Sequence, residues 1–292
     1  MKSKVLICYH KKDVLLKNNV LTPIFLGQNV AEKKTKDGKI SPKEFLWLKN
    51  HMVGDNTGDN ISHLNRDFSE LTAIYWAWKN YDKLGNPDVI GLCHYRRFFY
   101  LSNSNYFTFN LANWAGYDNE NISKIMNEYD IICLTSERRN SQFINDINSK
   151  YIHLSEKNYP EIFRAFEKFN KDKKAHMKNM FIMKKDMFFE YCKFLFEIIF
   201  KIQSEIGNPN IENDETNKKR LADRKYGHIS EYLTSLFIEA KRMQGYKIKE
   251  CPIVKTDFKL FNLPIIYRVK TNVYGKIFLF GKKIIKYKYF KK

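Results

Sequence analysis

A chain of 292 residues with 43% hydrophobic and 15% aromatic side chains has ample apolar surface for one large or two small cores, which excludes a disordered chain. The formal charge of +19, from 51 Lys and Arg against 32 Asp and Glu, calls for an anionic partner or surface and leaves nucleic acid, anionic lipid and pyrophosphate open. The five cysteines, Cys8, Cys93, Cys133, Cys192 and Cys251, lie far apart in mostly apolar runs with no CxxC pair, the usage of buried hydrophobes in a reducing compartment rather than of a zinc ribbon.

In chain order, residues 1–5 run directly into an apolar strand without the h-region of a signal peptide, which predicts a cytoplasmic protein. Near-continuous apolar runs at 4–10, 88–94, 129–134 and 179–183 predict strands covered on both faces. Between them, Leu71, Ile74, Tyr75 and Trp78 mark one face of a helix that Asp67 is expected to cap, with Glu70 three residues on. Further helices are predicted over about 160–169, 186–205 and 228–244, the last ending at Gly245 as its C′ residue. Residues 33–43 and 207–223 are polar and turn-rich and predict loops, the second a surface insertion or a flap over a site. The richest apolar segment, 187–202, is broken by Glu190, Lys193, Glu197 and Lys201, so no stretch predicts a membrane span. The alternation predicts an α/β fold with a mainly parallel sheet flanked by helices, and ligands beyond the carboxyl ends of its strands.

From Arg268 onward nine Lys and Arg residues meet no acidic residue and interleave with Tyr, Phe and Ile. This basic aromatic extension suits an anionic membrane surface, with rings at headgroup depth and lysines on the lipid charge; a terminal β-hairpin around Tyr274, Gly275 and Gly281 with solvated lysines is a compatible reading.

Four stretches carry candidate chemistry. GLCHYRRFF (91–99) ends a predicted strand; if it stays extended, His94 and Arg96 share one face and Tyr95 and Arg97 the other, and paired guanidinium forks suit phosphate as well as they suit surface ion pairs. Residues 53–62 pack Asp55, Asn56, Asp59 and Asn60 among glycines, fitting hydroxyl recognition, a hard cation or an ordinary Asx-turn loop, without EF-hand spacing. In ELTAIYWAWKN (70–80), Trp76 and Trp78 cannot both face a core at helical spacing, so one is expected at a cleft. His176, Asn179 and Met180 precede or open a strand, and Glu231 lies near a helix start, where burial can tune a general base although a lone helical Glu is more often solvated. No Walker loop, GxGxxG or Ser-His-Asp order is present.

Together with PIFLG (23–27), NMFIM (179–183) and residues 227–233, these strings resemble, in order, a family of bacterial proteins long described as a domain of unknown function and encoded among capsular, exopolysaccharide and lipopolysaccharide genes. The resemblance implies a GT-A-like glycosyltransferase domain over 1–250, with 251–292 as a basic aromatic extension, and some relatives act as inverting galactofuranosyltransferases. It implies a nucleotide-sugar donor, UDP-linked before others, and a glycan or lipid-linked acceptor; the peripheral position on the inner face of the cytoplasmic membrane, reached through 268–292, rests on the composition of that extension. The Asp-x-Asp metal motif of such folds is replaced by His94, Tyr95, Arg96 and Arg97, so Mg or Mn is admitted but required by no motif. On this reading His94, Tyr95, Arg96 and Arg97 hold the diphosphate, Asp55, Asn56, Asp59 and Asn60 read the donor, and Glu231 is the base with Glu70 in reserve. Trp76, Trp78, His176, Asn179 and Met180 are assigned to the acceptor or the cleft. The alternatives are a nucleic-acid-binding protein, disfavoured because much of the basic excess lies in the tail, and a non-catalytic polysaccharide-assembly protein.

Overall fold

Each residue of the first strand goes to one side or the other of a single sheet. In β1 (Ser3–Tyr9), Leu6 and Cys8 enter one apolar cluster while Val5, Ile7 and Tyr9 enter a second on the opposite face. This two-sided burial is why the run reads as continuously apolar rather than alternating. The structure, a computed structural model, describes residues 1–31, 40–102, 111–138, 152–172, 174–206, 224–260, 263–270, 274–279 and 282–288. The predicted loop at 207–223 and most of that at 33–43 lie outside them.

The remaining strands are β2 (Leu21–Phe25), β3 (Val53–Gly54), β4 (Val89–His94), β5 (Arg97–Phe99), β6 (Ile131–Leu134), β7 (Glu137–Arg138), β8 (Lys174–Ala175), β9 (Phe181–Lys184), β10 (Ile248–Cys251), β11 (Ile253–Leu260), β12 (Leu263–Lys270), β13 (Tyr274–Leu279) and β14 (Lys282–Lys288). The central sheet runs β3-β2-β1-β4-β9-β6-β10. Its strands pair in parallel except at β9, which is antiparallel to both β4 and β6. The predicted strands at 4–10, 88–94 and 129–134 therefore share one mostly parallel sheet. Residues 179–183 join it in the reverse sense, a direction that apolar patterning does not encode. Gly91 makes the tight β4–β9 pairing possible: a Cβ there would stand 2.7 Å from Ile182 Cγ1 and 2.8 Å from the Phe181 carbonyl.

The helices are α1 (Pro42–His51), α2 (Asn65–Phe68), α3 (Leu71–Lys79), α4 (Leu111–Trp114), α5 (Asn119–Glu128), α6 (Pro160–Asp172), α7 (Lys185–Ile206) and α8 (Lys225–Met243). One face of the sheet is covered by α3, α6, α7 and α8, through residues such as Trp76, Phe169, Tyr191 and Phe237. The other is covered by α1 and α5 together with Trp114 and Tyr117. Gly245 follows α8 in the left-handed region, as its position predicts.

Two expectations about helix starts are corrected. Asp67 lies inside the short α2, and α3 starts afresh at Leu71 with Glu70 at its N-cap position and no side-chain cap. Between them Ser69 takes φ 51, so the chain turns sharply where a single capped helix is expected. Ser41, placed in a loop by composition, caps α1 by accepting from the Glu44 N–H, with Pro42 in the first turn.

At the far side the chain meets a second pattern. After β4 the chain turns at Tyr95 and Arg96, and β5 returns antiparallel with His94 opposite Arg97. The strand therefore ends at His94, and the expected sharing of faces between His94 and Arg96 does not hold. β5 pairs with β11, and β11 to β14 form an antiparallel meander in which β13 and β14 pair as a hairpin. Among the described residues no helix is long and apolar enough to cross a membrane.

Candidate active site

The site forms where the carboxyl end of β4 meets the entry to β9 and the first turns of α3 and α8. Lys178 and Asn179, with φ of 79 and 49, are two consecutive left-handed residues before β9. Their backbone and side chain reach β4, the start of α3 and α8. The Lys178 carbonyl meets His94 Nε2 at 2.9 Å, and the Lys178 backbone and charge oppose the upward shift of the Glu231 carboxyl. The fully buried Asn179 amide donates to Glu70 Oε1 at 3.0 Å, Ser230 Oγ at 2.8 Å and the Gly227 carbonyl at 3.1 Å. Its carbonyl accepts from Thr234 Oγ1 at 3.1 Å.

Glu70 is 3% exposed and is approached from the other side by Arg224, whose Nη2 lies 3.5 Å from Oε2 while its Nε donates to Ser69 Oγ at 2.8 Å. Arg224 sits at the N-cap of α8 with φ 74. Of the five non-glycine residues with positive φ among those described, four, Ser69, Lys178, Asn179 and Arg224, surround Glu70, and the fifth is Asn86. Backbone conformations of this kind cost of order 1 to 3 kcal/mol each and collect where the surrounding structure holds a functional geometry. Gly227 completes the close approach, since a Cβ there would come 3.1 Å from Ser69 Oγ.

The electrostatics follow from this packing. Burial, reinforced by the negative charge of Glu70, pushes the Glu231 carboxyl up to about 7, against the opposing pull of Lys178 and Arg224. Burial lowers the pKa of His94, Glu70 and the Lys178 carbonyl oppose the shift, and Arg97 and Arg224 add to it. His228 is lowered by burial and by Arg224. Glu70, Glu231, His94 and His228 are thus electrostatically linked to one another and to Lys178, Arg97 and Arg224, and burial disfavours charge on both imidazoles.

The remaining sequence-derived candidates divide. Asp55 is fully buried and is held by the N–H groups of Gly27 at 2.7 Å and Gln28 at 3.1 Å and by the hydroxyls of Ser62 and Thr72, each at 2.6 Å. Burial nevertheless raises its pKa. Its oxygens serve the fold, tying the 53–62 loop to β2 and α3. Asn56 reaches Asn29 Oδ1 at 3.1 Å, Asn60 donates to the Gly58 carbonyl at 2.9 Å, and Asp59 is exposed beside the Tyr75 hydroxyl.

Arg96 is exposed, with Nε 3.0 Å from Asp13 Oδ2 and its guanidinium over the Tyr95 ring, which itself stacks on Tyr9 at 5.2 Å. Trp76 is buried and donates from Nε1 to the Thr57 carbonyl at 2.9 Å, whereas Trp78 stacks on Phe196 at 5.8 Å with the Lys79 ammonium 4.0 Å from its ring centre. Both tryptophans are therefore packed, because α7 supplies a second apolar wall that the helical wheel alone does not reveal. His176, with Nδ1 2.6 Å from the Leu134 carbonyl, and Met180 are buried.

Arg224, Lys178 and His228 are brought into the site without having been singled out by sequence. All three lie within or beside the quoted strings, but a lone cation in a lysine-rich chain carries no signal of its own. At the strand end where an Asp-x-Asp pair would bind a divalent ion stand His94, Tyr95, Arg96 and Arg97, which offer no carboxylate. Among the described residues no three His, Cys, Asp or Glu side chains converge as metal ligands would.

The comparisons with known proteins agree with this architecture. No curated protein matches the sequence. A solved structure described as the WbbM bifunctional glycosyltransferase in its apo form is similar at 25% identity and a TM-score of 0.67, over 87% of this chain. The chain spans 45% of the length of that protein. The mixed sheet, mostly parallel and flanked by helices, is a GT-A-like glycosyltransferase fold. Residues 4–242 match a family profile across most of the chain, and the protein belongs to the family described as a domain of unknown function, DUF4422.

Proposed function

We propose that this chain is a glycosyltransferase that moves a sugar from a nucleoside-diphosphate donor to a glycan or lipid-linked acceptor in bacterial surface-polysaccharide synthesis. The observation that carries this reading is the electrostatic coupling of Glu70, which Asn179 and Arg224 hold, to Glu231 near the carboxyl end of β4, with Arg97 on the strand that follows. The likeness of the fold to a glycosyltransferase supports it. Glu231, pushed up to about 7, is poised near the working pH of a general base. It takes the proton of the acceptor hydroxyl as that oxygen attacks the anomeric carbon, and the bond to the diphosphate oxygen breaks with its electron pair on the leaving group. Attack opposite the leaving group inverts the anomeric centre. Arg97 and Arg224 are placed to neutralise the departing charge, with Arg96 and Tyr95 on the adjoining turn. Asn56, Asp59 and Asn60 read donor hydroxyls from a loop that Asp55 holds.

The division into a transferase domain over 1–250 and an extension over 251–292 belongs to the same proposal. So does the extension's docking on the anionic inner face of the cytoplasmic membrane, where a lipid-linked acceptor is found. UDP-galactofuranose is the donor to test first. Thermal-shift screening of UDP, UDP-galactofuranose and other nucleotide sugars tests the reading, since a ligand at a hundred times its dissociation constant stabilises the folded state by about 2.7 kcal/mol. Failure of every nucleotide and nucleotide sugar to shift the transition would defeat it.

A further inference from the structure

His94 ends β4, the strand on which the parallel half of the sheet meets the antiparallel β9, and its ring feels the charges of Glu70, Arg97 and Arg224. Nε2 lies 2.9 Å from the Lys178 carbonyl oxygen, an acceptor with no proton to give. That contact is a hydrogen bond only if Nε2 carries the hydrogen, so in the neutral ring Nδ1 holds the lone pair. Lys178 takes φ 79 and the next residue, Asn179, is held by four side-chain hydrogen bonds, which fixes this carbonyl against the ring. Among the described residues Nδ1 has no hydrogen-bond partner. The charges of Arg97 on β5 and of Arg224 at the N-cap of α8 both oppose a second proton; Glu70, from the N-cap of α3, favours one and is already engaged by Asn179 and Arg224.

A neutral ring whose only N–H is spent on a carbonyl has nothing to donate to a phosphate oxygen. It can accept. We propose that His94 holds a hydroxyl of the donor sugar as a neutral acceptor at Nδ1, and is not part of the cationic clamp on the diphosphate. The inference rests on the glycosyl-transfer reading, because the group adjoining a diphosphate clamped by Arg97 and Arg224 is the sugar it carries. A bound diphosphate pulls the other way, since its charge favours the imidazolium, so the test is made with nucleotide present.

Two measurements on the full chain decide it. In 15N-labelled protein at about pH 7.5, with UDP bound, the His94 ring should appear as the neutral tautomer protonated at Nε2. An imidazolium, or a ring protonated at Nδ1, overturns the proposal. Calorimetric titration with UDP and with UDP-galactofuranose should then compare wild type with His94→Gln, whose amide can still donate to the Lys178 carbonyl while leaving the Nδ1 position without an acceptor. UDP should bind the variant as it binds wild type, and UDP-galactofuranose about tenfold more weakly, the loss of one hydrogen bond. Equal weakening of both ligands would return His94 to the diphosphate and overturn the proposal. Wild-type protein that binds neither ligand defeats the glycosyl-transfer reading itself, an outcome distinct from either.

Discussion

The Asn179 amide donates to Glu70 Oε1 at 3.0 Å across 109 residues of sequence, and this bond joins the entry of β9 to the start of α3. Both partners are buried, and the same amide holds the first turns of α8 through Ser230 and Gly227. Removing it leaves Glu70 with Arg224 alone at 3.5 Å. Asn179→Ala should therefore destabilise the protein by about 2 to 4 kcal/mol, because it orphans a buried carboxylate and several polar groups together. Urea denaturation checks this; a loss under 1 kcal/mol would mean that water or Arg224 replaces the amide.

Glu231→Gln should lower turnover by roughly 10² to 10⁴ while nucleotide-sugar binding persists, as expected for loss of a base. Near-normal turnover would move the role to Glu70.

The same variant has an opposite effect on stability, and its sign depends on pH. The folded Glu231 carboxyl, at about 7, binds its proton more tightly than the unfolded one, near 4.3. Between these values the folded state holds the extra proton, so its contribution falls as pH rises and the full penalty is reached above about pH 7. Glu231→Gln removes the charge and should be more stable than wild type by up to about 3 kcal/mol at pH 8, with the gain closing below about pH 4.5. Melting curves across that range that run parallel would refute the linkage.

Asp55→Asn replaces a carboxylate that accepts from two N–H groups and two hydroxyls with a side chain that must present two hydrogens of its own. Donors then face donors. A loss of about 2 to 3 kcal/mol is expected, since burial leaves no water to absorb the mismatch. Amide hydrogen exchange at Gly27 and Gln28 should rise with it; unchanged protection would show that the hydroxyls reorient and suffice.

Membrane docking is tested without truncating the meander, whose first strand pairs with β5. Changing Lys276, Lys282, Lys283, Lys286 and Lys288 together to Gln removes charge while leaving the strands their length. If each lysine contributes on the order of 1 kcal/mol near an anionic surface, co-sedimentation with phosphatidylglycerol vesicles should be largely lost. Equal pelleting of both proteins, or no preference over neutral vesicles, would leave the meander as a solvated sheet.

What the sequence determines by itself is local. The apolar runs at 4–10, 88–94 and 129–134 are strands because burial on both faces demands unbroken hydrophobicity, and the period of α6, α7 and α8 marks their buried faces. Glycine at 245 marks a left-handed end, a condition a single residue can report, whereas the close approach at Gly91 shows only once β9 is in place. The motif strings also placed Glu70, His94, Asn179 and Glu231 among the candidates. Tertiary structure decided the rest. Strand direction at β9 depends on which neighbours it meets, and the turn at Tyr95 and Arg96 depends on β5 finding β11, neither of which is a property of the residues that turn. Arg96 and Arg97 are adjacent and chemically alike, yet one pairs with Asp13 and the other lies opposite His94 in the β4–β5 pairing, because the hairpin separates them. The elevated Glu231 pKa is likewise invisible along the chain: it comes from desolvation and from the charge of Glu70, brought close only when the β9 entry, α3 and α8 pack around Asn179. Hydrophobic period reports the faces an element buries, whereas the charge state of a side chain is set by partners that loops of more than a hundred residues bring to it.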